Sequence, residues 1–402
     1  MSAPDHFIPA GLAELKTPEG TFLIQERRSR PRDPSAPKPE TSPTPEKETH
    51  AFSPAMSALA GVIILGVLVG SYTVKYDLAI GHAQGAPAIP AVGFIALQLF
   101  LACSSYRLFH AVRQYRDVWS YVGHRLLRYL PATIPAVLLG FVVAQFSGIP
   151  ALQTKISSLP ANLMMMADMV GVSDIDSAHW RLKIELIMSI SAGVTWFTPL
   201  RRFLPAILLA CLAVNIAYLN GEPARQNILT LHGVLTADGY LPFLAFGVAL
   251  HHLVLNRSSA GWQIVAAASV VLVFFSNTPV HGLWTVASLG VLTAIAAGRL
   301  QFLGKLTWLV RLGNLAFPIY VVHFVTGFAL IRGMEMVGIP PAVAMLAAAG
   351  AAILLGQLFH VVFERPAATH APVLIAALAV KMPLLRRLRS SVAQTALASA
   401  TS

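Results

Sequence analysis

Residues 54–74 read PAMSALAGVIILGVLVGSYTV, without one charged side chain. The hydrocarbon core of a bilayer is about 30 Å thick and takes about 20 apolar residues of helix, so this stretch has the length and composition of a span. Its apolar residues surround any helix drawn through it, leaving no polar face to turn toward water. Similar blocks recur along the chain. They predict further helices at 89–109, 130–146, 182–198, 203–219, 240–255, 262–276, 280–297, 312–331 and 341–363, the seventh being short and separated from the eighth by a tight Asn277-Thr278-Pro279 turn. The expected fold is therefore all-α: a polytopic membrane protein of about ten transmembrane helices.

Composition agrees with that reading. Of 402 residues 55% are hydrophobic and 12% charged, with a mean hydropathy of +0.65. A soluble domain carries about a quarter charged residues, so this chain has too little polar side chain to cover a water-facing surface. Charge placement sets the orientation. With a cytoplasmic N-terminus, 23 of the 29 Lys and Arg fall in segments expected inside, and only Lys75, Lys155, Arg181, Lys183, Arg225 and Arg332 fall outside. That asymmetry is what the positive-inside rule expects for ten helices with both termini cytoplasmic. It also accounts for the net charge of +11, since basic loops meet anionic lipid headgroups at the cytoplasmic face. Nucleic acid is excluded as a partner, because no basic stripe with interleaved aromatics lies outside the membrane-flanking loops.

Three domains follow. Residues 1–53 are expected to be a disordered cytoplasmic tail, with Pro31, Pro34, Pro37, Pro39, Pro43 and Pro45 closely spaced and too little apolar surface to fold. No apolar stretch follows Met1 to suggest a signal peptide. Residues 54–367 form the transmembrane domain, and 368–402 a basic cytoplasmic C-terminal tail. Cys103 and Cys211 lie inside apolar helices, as small packing residues rather than a disulfide, and two cysteines are too few for a zinc site.

The candidate site residues are polar groups that a membrane helix does not carry without cause. An ionisable group at mid-bilayer costs roughly 2.5–3.5 kcal/mol on insertion scales and marks a cavity or pathway. Arg107, His110, Arg113, Arg116, His124, Arg125 and Arg128 crowd one segment leading into Pro131. Arg125 and Arg128 are three apart, on one helix face, and guanidinium forks suit a phosphate-bearing ligand. Positive-inside anchoring explains much of this charge as well. His179, Trp180, Arg181, Lys183 and Glu185 sit at the outer mouth of the fourth helix. There Glu185 would hold a sugar hydroxyl or pair with Arg181 or Lys183. Tyr320 and His323, spaced i and i+3 in the ninth helix, point into one cavity or pack as buried, hydrogen-bonded residues.

Five segments, in order, resemble the membrane acyltransferase-3 family, which moves acetyl, succinyl or related groups onto glycans and lipids. LFLACSSYRLF (99–109) is similar to the family's LFFxLSGFLI helix, and RLLRYLP (125–131) to its RxxRxxP. HWRLKIEL (179–186) resembles the WxLxxE element, placing Trp180 and Glu185. LGNLAFPIYVVHF (312–324) resembles LGxxSYxIYLxH, placing Tyr320 and His323. FERPA (363–367) resembles the closing xExP. The resemblance departs at the first helix, where the family carries an Arg and, about three turns later, a catalytic His. Here residues 57–72 offer only Ser57, Ser71 and Tyr72 as polar side chains.

The resemblance implies a multi-pass protein of the bacterial inner membrane. It would carry an acyl group from acyl-CoA, a co-substrate rather than a bound cofactor, to a hydroxyl of a sugar or exopolysaccharide. A general likeness to transacylases that accompany bacterial cellulose synthesis suggests cellulose as acceptor and polysaccharide synthase or export proteins as partners. His323 becomes the expected base, Glu185 the residue that orients acceptor or base, and His110 the alternative base. Arg125, Arg128 and Arg107 would bind donor phosphates, Trp180 and Tyr320 would contact the substrate, and no metal is expected. A catalytically inactive scaffold in a glycan-export complex is the second reading. A transporter is the third; it calls for interrupted helices in matching halves, which the sequence lacks.

Overall fold

Ser53 and Pro54 start the first membrane helix in the way capping chemistry prescribes. The Ser53 hydroxyl accepts from the Met56 N–H at 3.2 Å, and Pro54 occupies the first turn, where its missing N–H is not needed. In the computed structural model the described residues are 12–17, 20–25, 52–83, 90–115, 117–176, 178–219, 240–276, 278–367 and 369. The chain divides into two units, residues 1–48 and 49–402. In the first, β1 (Leu12–Thr17) pairs antiparallel with β2 (Gly20–Gln25), in a register that sets Leu12 opposite Gln25 and Thr17 opposite Gly20. This hairpin is a difference from a wholly unstructured tail, and the run Thr21-Phe22-Leu23-Ile24 has the β-branched and aromatic bias of a strand. The rest of residues 1–51, and residues 368 and 370–402 of the expected C-terminal tail, lie outside the described residues.

Described residues of the second unit are helical or in connections. The long helices are α1 (Pro54–Ala79), α2 (Pro90–Val112), α3 (Val118–Phe146), α4 (Trp180–Phe197), α5 (Leu204–Leu219), α6 (Leu241–Leu255), α7 (Ala260–Phe275), α8 (Pro279–Ala296), α9 (Thr307–Asn314), α10 (Ala316–Met336) and α11 (Pro341–Phe359). Among the described residues seven helices are long and apolar enough to cross a membrane; α6 and α7 are apolar but shorter. The 18-residue α4 carries Arg181, Lys183 and Glu185 in its first two turns.

Several boundaries differ from the expected ones. The third helix begins twelve residues early, at Val118 rather than 130, because Asp117 caps it by accepting from the Ser120 N–H at 2.9 Å. Much of the basic segment is thus helix rather than loop. The expected helix 312–331 is split at Leu315 into α9 and α10, and α10 runs on to Met336. α1 is also irregular, with one π-helical stretch at Ser71–Lys75.

α2 lies centrally, against α1, α4, α6 and α8, while α10 packs on α11 and α3. The α1–α2 contact depends on paired glycines. A Cβ built on Gly93 would stand 2.5 Å from the Gly70 Cα, so the backbones touch as small residues permit in membrane bundles. Gly93→Val is therefore expected to lower thermal stability by about 1–3 kcal/mol, the usual cost of overpacking. Gly333→Val, where a Cβ meets nothing within 4 Å, should be tolerated. Equal melting temperatures for the two variants in detergent would show that the close approach does not matter.

Candidate functional site

Glu185 stands on the second turn of α4, with α2 and α3 beside it. Its Oε1 accepts from the Ser104 hydroxyl of α2 at 2.7 Å and from the Tyr129 hydroxyl of α3. The Arg125 guanidinium, one turn before Tyr129, donates to the Tyr129 oxygen at 2.8 Å and stands 3.6 Å from the same carboxylate oxygen. Arg125 Nε also donates to Ser189 Oγ at 3.2 Å, and Ser189 in turn donates to the Glu185 carbonyl at 2.7 Å. The result is a buried polar network across three helices, with Arg125 only 8% exposed. A charge so buried is tolerated only when paired and hydrogen-bonded.

A second group lies on α10. His323 is 1% exposed. Its Nδ1 lies 2.7 Å from the Tyr320 carbonyl, and its Nε2 lies 3.2 Å from Ser71 Oγ in the π-helical stretch of α1. A carbonyl only accepts, so the neutral ring carries its proton on Nδ1 and presents the Nε2 lone pair to the Ser71 hydroxyl. Tyr72 donates from its hydroxyl to the His323 carbonyl at 3.0 Å. Its ring fits against Gly327, where a Cβ would stand 2.4 Å from it.

Tyr320 donates to the Ala178 carbonyl at 2.6 Å and stacks on Phe100 of α2, with centroids 5.9 Å apart. His179 Nε2 lies 3.3 Å from the Val321 carbonyl and 3.8 Å from Asp176. Burial pushes the Asp176 carboxyl above the ordinary carboxylate range, an effect that neighbouring His179 reduces. The two groups share a wall along α10: Tyr129 packs on Phe317 at 5.2 Å, one turn before Tyr320 and two before His323.

The structure distributes the remaining candidates. Arg125 and Arg128 share a helix but not an environment, since Arg125 turns inward and Arg128 is exposed. Arg107 is half-buried, its guanidinium 5.1 Å from the Phe52 ring centre. His110 belongs to a third group, with Phe52 at 5.4 Å and His251 at 5.9 Å. There His252 stacks on Trp262 at 4.0 Å. Among the described residues, neither ring nitrogen of the fully buried His251 has a hydrogen-bond partner. Trp180 opens α4, and its side chain lies outside the described residues. Among the described residues no three His, Cys, Asp or Glu side chains form a set that could hold a metal ion.

Several participants escape a sequence reading. Tyr129 and Ser189 carry no motif weight of their own, though Tyr129 lies inside RLLRYLP. Ser71 is one of three polar side chains in 57–72, which is a weak signal. Glu335 falls beyond the expected end of its helix, yet it is buried and held by His82 at 2.6 Å and by the Tyr76 hydroxyl at 3.3 Å.

A family model described as an acyltransferase domain, that of the acyltransferase-3 family, matches residues 55–361. The chain belongs to this family. The match spans α1 through α11, so both polar groups lie within the acyltransferase domain, and the apolar helices make this a multi-pass membrane acyltransferase. No curated protein and no solved structure matches the chain.

Proposed function

We propose that this acyltransferase carries an acetyl- or succinyl-like group from acyl-CoA to a hydroxyl of a sugar or exopolysaccharide in the bacterial inner membrane, with His323 as general base. One observation carries the reading: His323 is buried, oriented through Nδ1 by the Tyr320 carbonyl, and already offers its Nε2 lone pair to a hydroxyl. A base held in hydrogen-bond reach of the proton it must take is the geometric requirement for acid–base catalysis. In the reaction Nε2 takes the acceptor proton, the alkoxide attacks the thioester carbonyl, the C–S bond breaks and the thiol leaves with the proton. Glu185 acts as a positioning residue: it fixes Tyr129 against Phe317 and so supports the α10 wall that carries Tyr320 and His323.

Donor phosphates are assigned to the exposed Arg128 with Arg107, on the side where the basic loops cluster. Arg125, committed to Glu185, Tyr129 and Ser189, serves to hold the network. Cellulose as acceptor, and synthase or export proteins as partners, rest on resemblance alone.

Incubation of the purified chain with radiolabelled acetyl-CoA or succinyl-CoA and soluble cello-oligosaccharides tests the reading through label transferred to sugar. Arg128→Ala should weaken donor binding about tenfold to a hundredfold, the worth of one charge-assisted contact of about 1.5–3 kcal/mol, with unchanged thermal stability. Wild-type affinity in that variant would leave Arg128 a topological anchor. A wild type without turnover that still binds a polysaccharide synthase would favour the scaffold reading.

A further inference from the structure

The π-helical stretch Ser71–Lys75 interrupts an otherwise regular helix with no Pro inside it. Such bulges are rare, distort the hydrogen-bond ladder and recur at functional sites. Here the bulge begins at the one residue of α1 whose hydroxyl meets a histidine nitrogen. Ser71 is 5% exposed, and its Oγ lies 3.2 Å from His323 Nε2. The ring is oriented in turn by the Tyr320 carbonyl at Nδ1, 2.7 Å away. Nucleophile, base within hydrogen-bond reach, and a third group fixing the base together make the signature of an activated serine, which is recognised by geometry rather than by fold. The bulge is anchored on both sides of its first turn. Tyr72 reaches across to the His323 carbonyl at 3.0 Å, and Thr73 donates to the Val69 carbonyl at 2.7 Å.

We propose that Ser71 is a covalent relay: it receives the acyl group from the donor as a serine ester and passes it to the acceptor hydroxyl. The proposal rests on the acyl-transfer reading and divides it into two steps. In the first, His323 Nε2 takes the Ser71 proton, Oγ attacks the thioester carbonyl, the C–S bond breaks and the protonated imidazole returns its proton to the departing thiolate. In the second, His323 takes the proton of the acceptor hydroxyl, whose oxygen attacks the serine ester. The Ser71 Oγ–acyl bond then breaks, and Ser71 recovers its proton from the imidazolium. No oxidant, metal or further co-reactant enters. The relay gives a first helix without histidine a chemical part in the reaction.

The test uses the full-length purified protein with three probes: radiolabelled acetyl-CoA, p-nitrophenyl acetate, and a fluorophosphonate that reacts with activated serines. Peptide mapping by mass spectrometry should find the acetyl or phosphonyl group on Ser71. The label should disappear in Ser71→Ala, fall sharply in His323→Gln and persist in Ser57→Ala, which alters the other serine of 57–72. Ser71→Cys guards against a folding defect, because a working relay would give a thioester at that position that hydroxylamine removes. Turnover of acetyl-CoA without a Ser71 ester, together with full turnover in Ser71→Ala, would overturn the relay and leave the His323 reading standing. A wild type that neither turns over nor takes label from any probe would overturn both.

Discussion

Glu185→Ala is expected to destabilise the folded protein by about 3–5 kcal/mol, the usual penalty for breaking a buried ion pair from one side. The Arg125 guanidinium would remain buried with its counter-ion gone, and the Ser104 and Tyr129 hydroxyls would lose their shared acceptor. Most of this loss comes from the stranded charge, not from the attraction between the partners. The double variant Glu185→Leu, Arg125→Met should therefore recover most of the melting temperature. It should not recover acyl transfer, since Tyr129 would no longer be fixed against Phe317 beneath the α10 wall. Losses that merely add across Glu185→Leu, Arg125→Met and the double variant would show that the two side chains are uncoupled, and the network would lose its positioning role.

How far this arrangement was legible in the sequence depends on the kind of interaction. The helical blocks show in it because apolar length is a local property: α5, α6 and α8 begin and end within a residue of their expected places. The start of α3 is hidden because a cap at Asp117 outweighs the polarity of the turns it begins. Residues such as Ser120 and Tyr121, which precede the expected start of the helix, are buried against the bundle. Glu185 and Arg125 are visible as costly charges in apolar surroundings, but their pairing is a tertiary fact across α3 and α4. Arg128 illustrates the converse. Three-residue spacing puts it near Arg125 on a helical projection, yet the bundle buries one and exposes the other. Ser71 is the least legible of all, since a single serine in an apolar helix is commonplace. Only its partner 252 residues away gives it meaning.

His323→Gln is expected to lower acyl transfer by about 10²–10⁴-fold, the contribution of a positioned general base, which is about 2.7–5.5 kcal/mol of transition-state stabilisation. Glutamine keeps a comparable length and can still bond either the Tyr320 carbonyl or the Ser71 hydroxyl, but it has no nitrogen able to take a proton. Loss of one of the two bonds should cost folding only about 1 kcal/mol. Donor affinity should be unchanged, because the phosphate-binding assignment lies with Arg128 and Arg107. A merely structural His323 gives the reverse pattern: a lower melting temperature with intact turnover per folded molecule. Tyr320→Phe separates two levels of the arrangement. It removes the hydroxyl bond to the Ala178 carbonyl while leaving the Tyr320 carbonyl, which orients the imidazole, in place. Turnover in that variant should survive far better than in His323→Gln. If both fell equally, the Tyr320–Ala178 tie would be what the reaction requires, and the base would have to be sought elsewhere, with His110 and its neighbour His251 the next to replace.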